Sequence, residues 1–341
     1  MTDNATKTLF HPFESGTLPV PGPGERALFL GAVAGFRLPD GFAADLRAVQ
    51  GFRPDFLALQ RRDVAVTPEP QGDGYDLSMV LLGRHRGQNE ALIAEAFART
   101  RTGGLIMVAG GKKDGADSLR KRLGKRLTLD GSLSKHHGIV FWFTATEAAA
   151  PVMADLAASR RAITLDGRFQ AAPGMFSHDR IDPGSRLLAE HLPEKLSGRA
   201  ADFGAGWGYL AAALLERAGQ TLSGLDLYEA DHAALEAAKV NLGAHAGHLP
   251  LSFHWRDLLS EPVPRQYDVV VMNPPFHHGR AADPAIGTGM IRAASAALKP
   301  GGRLFLVANR GLPYETDLAT MFAASGETLR DARFKLLWAR R

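Results

Sequence analysis

Short apolar runs that end near glycine alternate with longer stretches whose apolar residues return every three or four positions, and this alternation continues along the whole 341-residue chain. Runs of the first kind fit strands buried on both faces; stretches of the second kind fit amphipathic helices. Together they predict an α/β fold with a largely parallel sheet. In the C-terminal half the expected strands are RAADF (199–203), TLSGLDLY (221–228), LSFHW (251–255), YDVVVM (267–272), RLFLVAN (303–309) and FKLLWA (334–339). Between them AAALLERAG, DHAALEAAKVNLGAH and GMIRAASAALKPGG carry helical spacing, with Asp231 as the N-cap of the second and Pro300-Gly301-Gly302 as the stop of the third.

The N-terminal half carries a fainter copy of the same layout. YDLSMVLL (75–82) parallels YDVVVM, ALIAEAFARTRTGG parallels MIRAASAALKPGG, and LIMVAGG parallels LFLVANR, in the same order. Such matched pairs indicate an internal duplication. The copies part where chemistry would sit. DFGAGWGYL has the counterpart LFLGAVAGF (28–36), without an acidic residue or close glycine spacing, and NPPF has the counterpart GRHRG. The expectation is two tandem Rossmann-like domains, a degenerate one over 1–160 and an intact one over 161–341, joined through a partly helical segment near 150–165.

Composition narrows the chemistry. Zero cysteines exclude disulfides, cysteine-bound metal sites and a cysteine nucleophile. A formal charge of +4 leans towards an anionic partner. There is no run of 18 consecutive apolar residues and no export signal at the N-terminus, so a cytoplasmic protein without a membrane partner is expected.

DFGAGWGYL (202–210) sets Gly204, Gly206 and Gly208 between a strand and a helix, where the backbone must turn sharply and approach a ligand closely. The spacing GxGxG differs from the dinucleotide pattern, and Asp202 just before it disfavours a phosphate. It favours a ligand bearing an ammonium group, as S-adenosylmethionine does. Asp226 and Glu229 both qualify to hold the two ribose hydroxyls at the end of the next strand, with Glu229 nearer its mouth; Asp257 is placed to accept from an adenine amino group while Leu258 packs on the ring.

At these residues the chain resembles the class I S-adenosylmethionine-dependent methyltransferases. More narrowly it resembles the small-subunit ribosomal RNA guanine-N2 methyltransferases, a degenerate domain followed by an active one. The resemblance is carried by APGMFSHDRIDPGSRLLAEHL (172–192), DFGAGWGYL, MNPPFHHG and LFLVANRGLPYE (304–315). It implies a seven-stranded doubly wound sheet with FKLLWA as the late antiparallel strand. It also implies a cofactor pocket that includes Ala205 of the glycine loop and the amide Asn273, with Phe176 and Ser177 in its wall and Asp182, Gly184 and Ser185 opening a helix. The bulky Trp207 departs from the small or polar residues frequent in that loop and is expected to face the sheet or the preceding segment.

An exocyclic amine is a poor nucleophile until its hydrogens are held and its lone pair is drawn out of the ring. Asn273 and the carbonyl of Pro274 supply two acceptors, because Pro274 and Pro275 fix the strand exit without competing sheet bonds, and Phe276 would stack on the base. No metal or covalent intermediate is required. GKKDGADSLRKRLGKR (111–126) offers Lys112, Lys113, Arg120, Lys121, Arg122, Lys125 and Arg126 as phosphate contacts for ribosomal RNA or an assembled small subunit. Other planar nitrogens, namely large-subunit guanine N2, adenine N6 or a protein glutamine amide, fit the same motif, and a non-catalytic RNA-binding assembly factor is the reading from another class.

Overall fold

The apolar runs assemble into two seven-stranded sheets, each the centre of its own compact unit. The computed structural model describes residues 2–158, 161–243, 249–275, 277–278, 281–282 and 284–341. One unit comprises Met1–Ala162 with Ala172–Gly174, the other Ile163–Ala171 with Met175–Arg341.

Unit one runs α1 (Thr2–Glu14), β1 (Arg26–Leu30), β2 (Asp45–Val49), α2 (Arg53–Gln60), β3 (Val66–Thr67), β4 (Tyr75–Leu81), α3 (Arg86–Arg99), β5 (Thr100–Gly111), α4 (Ala116–Leu123), β6 (Gly131–Lys135), β7 (Gly138–Thr144) and α5 (Ala150–Ala158). Its sheet order is β3-β2-β1-β4-β5-β7-β6.

Unit two opens with a hairpin, β8 (Ile163–Leu165) and β9 (Phe169–Ala171). It continues through α6 (Pro183–His191), β10 (Gly198–Phe203), α7 (Tyr209–Ala218), β11 (Leu222–Glu229), α8 (His232–Asn241), β12 (Leu251–Trp255) and β13 (Tyr267–Met272). The short pair β14 (His277–His278) and β15 (Ala281–Ala282) follows, then α9 (Pro284–Ala297), β16 (Leu298–Asn309), α10 (Tyr314–Met321), β17 (Ala324–Arg330) and β18 (Phe334–Arg340). The order β12-β11-β10-β13-β16-β18-β17 repeats that of unit one, with β18 antiparallel to β16 as expected for FKLLWA. The C-terminal parts of the two central strands β10 and β13 are buried, and Ala200, Ala201, Phe203, Val270, Val271 and Met272 have no exposed surface.

The third expected helix stops earlier than its Pro-Gly-Gly signal. It ends at Ala297, and Leu298 already pairs with Tyr267.

Register makes the two strand exits directly comparable. In unit one Val80 pairs with Val108, and two residues on, the Leu82 N–H donates to the Ala109 carbonyl (2.8 Å), extending the ladder. In unit two Met272 pairs with Leu306, and two residues on stands Pro274, which has no N–H to give. The residues opposite Asn273-Pro274-Pro275 are therefore Leu81-Leu82-Gly83, so GRHRG begins two positions later than the expected alignment with NPPF.

The glycine loops correspond as closely. Gly31 and Ala32 N–H groups donate to the Val49 carbonyl (3.1 and 3.2 Å), as Gly204 and Ala205 donate to that of Tyr228 (2.8 and 3.1 Å). Gln50 then stands where unit two has Glu229: its Nε2 donates to the Ala32 carbonyl (2.7 Å) and its Oε1 accepts from Phe52 N–H (2.8 Å). The position matching Asp202 is Phe29, fully buried and packed edge-on against Phe10 and Phe36. Aromatic rings occupy the space that unit two leaves for a charge.

Candidate functional site

Gly204, Gly206 and Gly208 all adopt positive φ (75°, 55° and 92°), a region other residues enter at a cost. At Gly208 a side chain would also meet the Cβ of Ala238 at 3.2 Å, so this glycine lets α7 and α8 approach. The loop thereby turns the chain from β10 into α7 with its amides facing the mouth of the sheet.

Two carboxylates lie behind it. Asp202 is fully buried, and neither side-chain oxygen has a hydrogen-bond partner among the described residues. Burial pushes its carboxyl up to about 8, and the nearby Glu229 adds to the rise; the Ala211 backbone N–H on the first turn of α7 lowers it in part without reaching hydrogen-bond geometry. Glu229, at the end of β11, accepts from Gly206 N–H (2.7 Å) through Oε2 and from Asp231 N–H (2.8 Å) through Oε1. Loss of water pushes it up to about 7, while those backbone donors hold it down. Each Glu229 oxygen keeps a lone pair for a further donor, such as a sugar hydroxyl.

A buried carboxylate without a partner costs several kcal/mol, on the order of the penalty for an uncompensated ion, and native folds keep one only where something else meets it. An ammonium group meets that need, and the residues present fit S-adenosylmethionine on this ground.

Asp226 separates cleanly from this pair. It is fully buried on β11 and takes three hydrogen bonds from the Arg199 guanidinium, Nη2 to Oδ1 at 2.7 Å and to Oδ2 at 2.9 Å, and Nε to Oδ2 at 3.1 Å. Oδ2 also accepts from the Tyr267 hydroxyl and from Gln266 (3.2 Å). Both its oxygens are held within the sheet, whereas Glu229 stands at the strand's mouth beside the glycine loop. Asp226→Ala should lower unfolding free energy by about 3 kcal/mol in urea titrations, because Tyr267 and Arg199 lose their acceptor. Its cofactor affinity should stay at the wild-type value; weaker binding at undiminished stability would return Asp226 to the site.

Asn273 sits at the exit of β13 with both amide hydrogens engaged. Nδ2 donates to Asp182 Oδ2 (3.0 Å) and to Ser185 Oγ (2.8 Å), so the amide carbonyl is the end left to accept. Asp182 is at once the N-cap of α6, where the same Oδ2 accepts from Ser185 N–H (2.8 Å). Pro274 is buried and Pro275 exposed, and no donor among the described residues reaches the Pro274 carbonyl. Phe276 lies outside the described residues.

A cavity lies between the glycine loop and Asn273, with Asp202 and Glu229 behind the loop and outside its lining. Phe176, Ser177, Asp182, Ser185, the loop from Gly204 to Trp207 and Asn273 line it. Phe176 stands at its lip, 58% exposed, and Ser177 holds a positive φ of 49°. Trp207 turns into the core beside Phe169 (5.3 Å between centroids), and its indole N–H donates to the Phe176 carbonyl (3.0 Å), which ties the preceding segment to the glycine loop. Asp257 lies beyond β12 and does not line this cavity. It is buried, and its Oδ1 accepts from Leu259 N–H (3.0 Å) and Oδ2 from the Ser260 hydroxyl. Leu258 is half-buried beside the core that includes Met290 and Leu312. Asp257 therefore works as a turn cap, with one lone pair per oxygen remaining for an amine.

Of the seven basic residues between 111 and 126, four are ion-paired within unit one: Arg120 and Lys121 with Asp117, Arg122 with Glu90, and Arg126 with Asp155. Lys112, Lys113 and Lys125 remain exposed without a carboxylate partner among the described residues.

Comparison with known proteins places this geometry. The family described as methyltransferase small domain matches residues 166–338. A ribosomal RNA small subunit methyltransferase C of Pseudomonas aeruginosa (strain LESB58) is 34% identical over 256 residues, 73% of this chain and 74% of the relative. A protein of the same name from Shewanella loihica (strain ATCC BAA-1088 / PV-4) is 31% identical over 273 residues, 78% of each chain. Among solved structures, a T. thermophilus 16S rRNA N2 G1207 methyltransferase in complex with AdoMet and guanosine superposes with a TM-score of 0.77 at 28% identity, covering 99% of this chain and 91% of that one.

Proposed function

The chain belongs to the methyltransferase small-domain family and, within it, to the ribosomal RNA small subunit methyltransferases C; from that membership and the site we propose that it methylates the exocyclic N2 amine of a guanine in small-subunit ribosomal RNA, with S-adenosylmethionine as the methyl donor. The observation that carries this reading is the pinned amide of Asn273, whose two hydrogens are held by Asp182 and Ser185 so that its carbonyl oxygen is the acceptor at the cavity.

Asp202 would hold the cofactor's ammonium group, Gly204, Ala205, Gly206 and Gly208 would let it lie against backbone, and Glu229 would take the ribose hydroxyls. Asp257 would accept from the adenine amine beside Leu258, and Phe176 would close one wall. The cofactor supplies a methyl group on a positively charged sulfur, an electrophile that needs no metal. The protein's own part is positional. Asn273 and the Pro274 carbonyl take the two hydrogens of the guanine amine, which draws its lone pair out of the purine ring and aims it along the line of displacement. Since Pro274 cannot extend the ladder, its neighbourhood stays free of sheet bonds that would compete for the base. Unit one has the scaffold with no counterpart of Asp202, Glu229 or Asn273 and serves as the degenerate domain, with Lys112 and Lys113 of the basic stretch as phosphate contacts.

The reading is tested by nucleoside mass spectrometry of ribosomal RNA treated with the protein and labelled cofactor. Label in N2-methylguanosine is expected. Label in protein glutamine or in N6-methyladenosine, with none in N2-methylguanosine, would replace the acceptor.

A further inference from the structure

Resting on the reading that RNA is the substrate, we infer that the carboxyl edge of the unit-one sheet is an RNA-backbone surface, built from Arg84, Lys112, Lys113 and Lys135. This is the edge at which unit two has its cavity. In unit one it carries cations.

Topology brings the four residues to one end of the sheet. Arg84 follows the exit of β4, and Lys112 and Lys113 follow that of its parallel neighbour β5. Lys135 closes β6, pairing with Gly138 at the start of β7, and Gly138 in turn pairs with Gly111 at the end of β5. The loops are stitched together: Leu82 N–H to the Ala109 carbonyl (2.8 Å) and Lys112 N–H to the His137 carbonyl (3.3 Å). Gly83 is clamped from both sides by the buried Asn89, whose Oδ1 accepts from its N–H and whose Nδ2 donates to its carbonyl, each at 2.8 Å. Arg84 thus leaves a fixed point rather than a loose loop.

All four cations are exposed, and none has a carboxylate partner among the described residues. The carboxylates nearby in sequence are spent elsewhere: Asp114 accepts from Gly111 N–H (3.0 Å), and Glu90 is held by Arg86 and Arg122. The α4 face is the reverse case, its arginines largely neutralised. Phe10, Phe29 and Phe36 fill the place that Asp202 holds in unit two, so a carboxylate to meet a cofactor's ammonium group is missing from this position. Unpaired cations along this edge suit phosphates spaced along a strand, which they would grip without reading bases.

The test replaces Arg84, Lys112, Lys113 and Lys135 with glutamine, singly and together, beside a control carrying Lys121→Gln and Lys125→Gln on the α4 side. Binding of a small-subunit rRNA fragment is measured between about 50 and 200 mM salt, with KM and kcat from methyl transfer. The four-fold variant should lower the slope of log affinity against log salt by about three, at roughly 0.7–0.9 per lost phosphate contact. It should raise the RNA KM at least about tenfold with kcat and cofactor affinity unchanged. A wild-type slope in the four-fold variant, or a loss confined to the α4 control, would overturn the inference. Absence of N2-methylguanosine from the wild-type reaction would instead sink the proposed function, while the binding slopes would still decide the surface.

Discussion

Asn273→Ala will lower kcat by about 100- to 1,000-fold and leave cofactor affinity within about threefold of wild type. A lost acceptor for a developing positive charge is worth that much when the site is dry and the acceptor already oriented. The orientation is what the structure adds. Asp182 and Ser185 hold both hydrogens of the amide, at 3.0 and 2.8 Å, so the acceptor needs no rearrangement when a base arrives. Ser185→Ala should accordingly reduce kcat by about tenfold with little change in KM, since one of two restraints on the amide is gone. Full single-turnover activity in Asn273→Ala would remove the residue from the chemistry.

The second large effect concerns Asp202. Its carboxyl, raised to about 8 by burial, is largely protonated in the empty protein at neutral pH, and only the ionised form can hold an ammonium group. Cofactor affinity measured by calorimetry should rise about tenfold per pH unit from roughly 6 to 8 and level off above, with protons released on binding. Glu229, near 7, broadens the lower part of that curve. The folded value lies above the unfolded one of 3.8, so the stability this group contributes is full below about 3.8 and is lost as pH rises through about 8. Asp202→Asn should therefore make the empty protein more stable at pH 8, on the order of a few kcal/mol, while weakening cofactor binding at least about a hundredfold. A variant that binds as tightly as wild type, or a flat pH profile, would show that another group meets the ammonium.

The sheet and the glycine loop were legible because their signals are local. β13 falls at the expected residues because a strand buried on both faces reads as a nearly unbroken apolar run, and β12, a half-buried edge strand, because Leu251, Phe253 and Trp255 alternate with polar residues. β17 carries no such run: ASGETLR is an edge strand with much of its length in water, and nothing in its composition marks it. The hairpin of β8 and β9 is three residues a side, below the length at which periodicity speaks. Asp182 reads as an N-cap, which it is; its hold on Asn273 spans 91 residues and exists only once the sheet has formed. The ion pairs within the charge run at 111–126 were hidden for the same reason, because Glu90 and Asp155, which pair with two of its arginines, are distant in sequence.

Phe29, wedged between Phe10 and Phe36 where unit two keeps Asp202, means that no single substitution builds a cofactor site into unit one. Restoring an acid there alone would bury a carboxylate among rings with no cation to meet it, and restoring Glu229 at Gln50 or Asn273 at Leu81 alone would gain nothing. A cofactor site in unit one would therefore need the acid, the rings around it and the strand exit changed together.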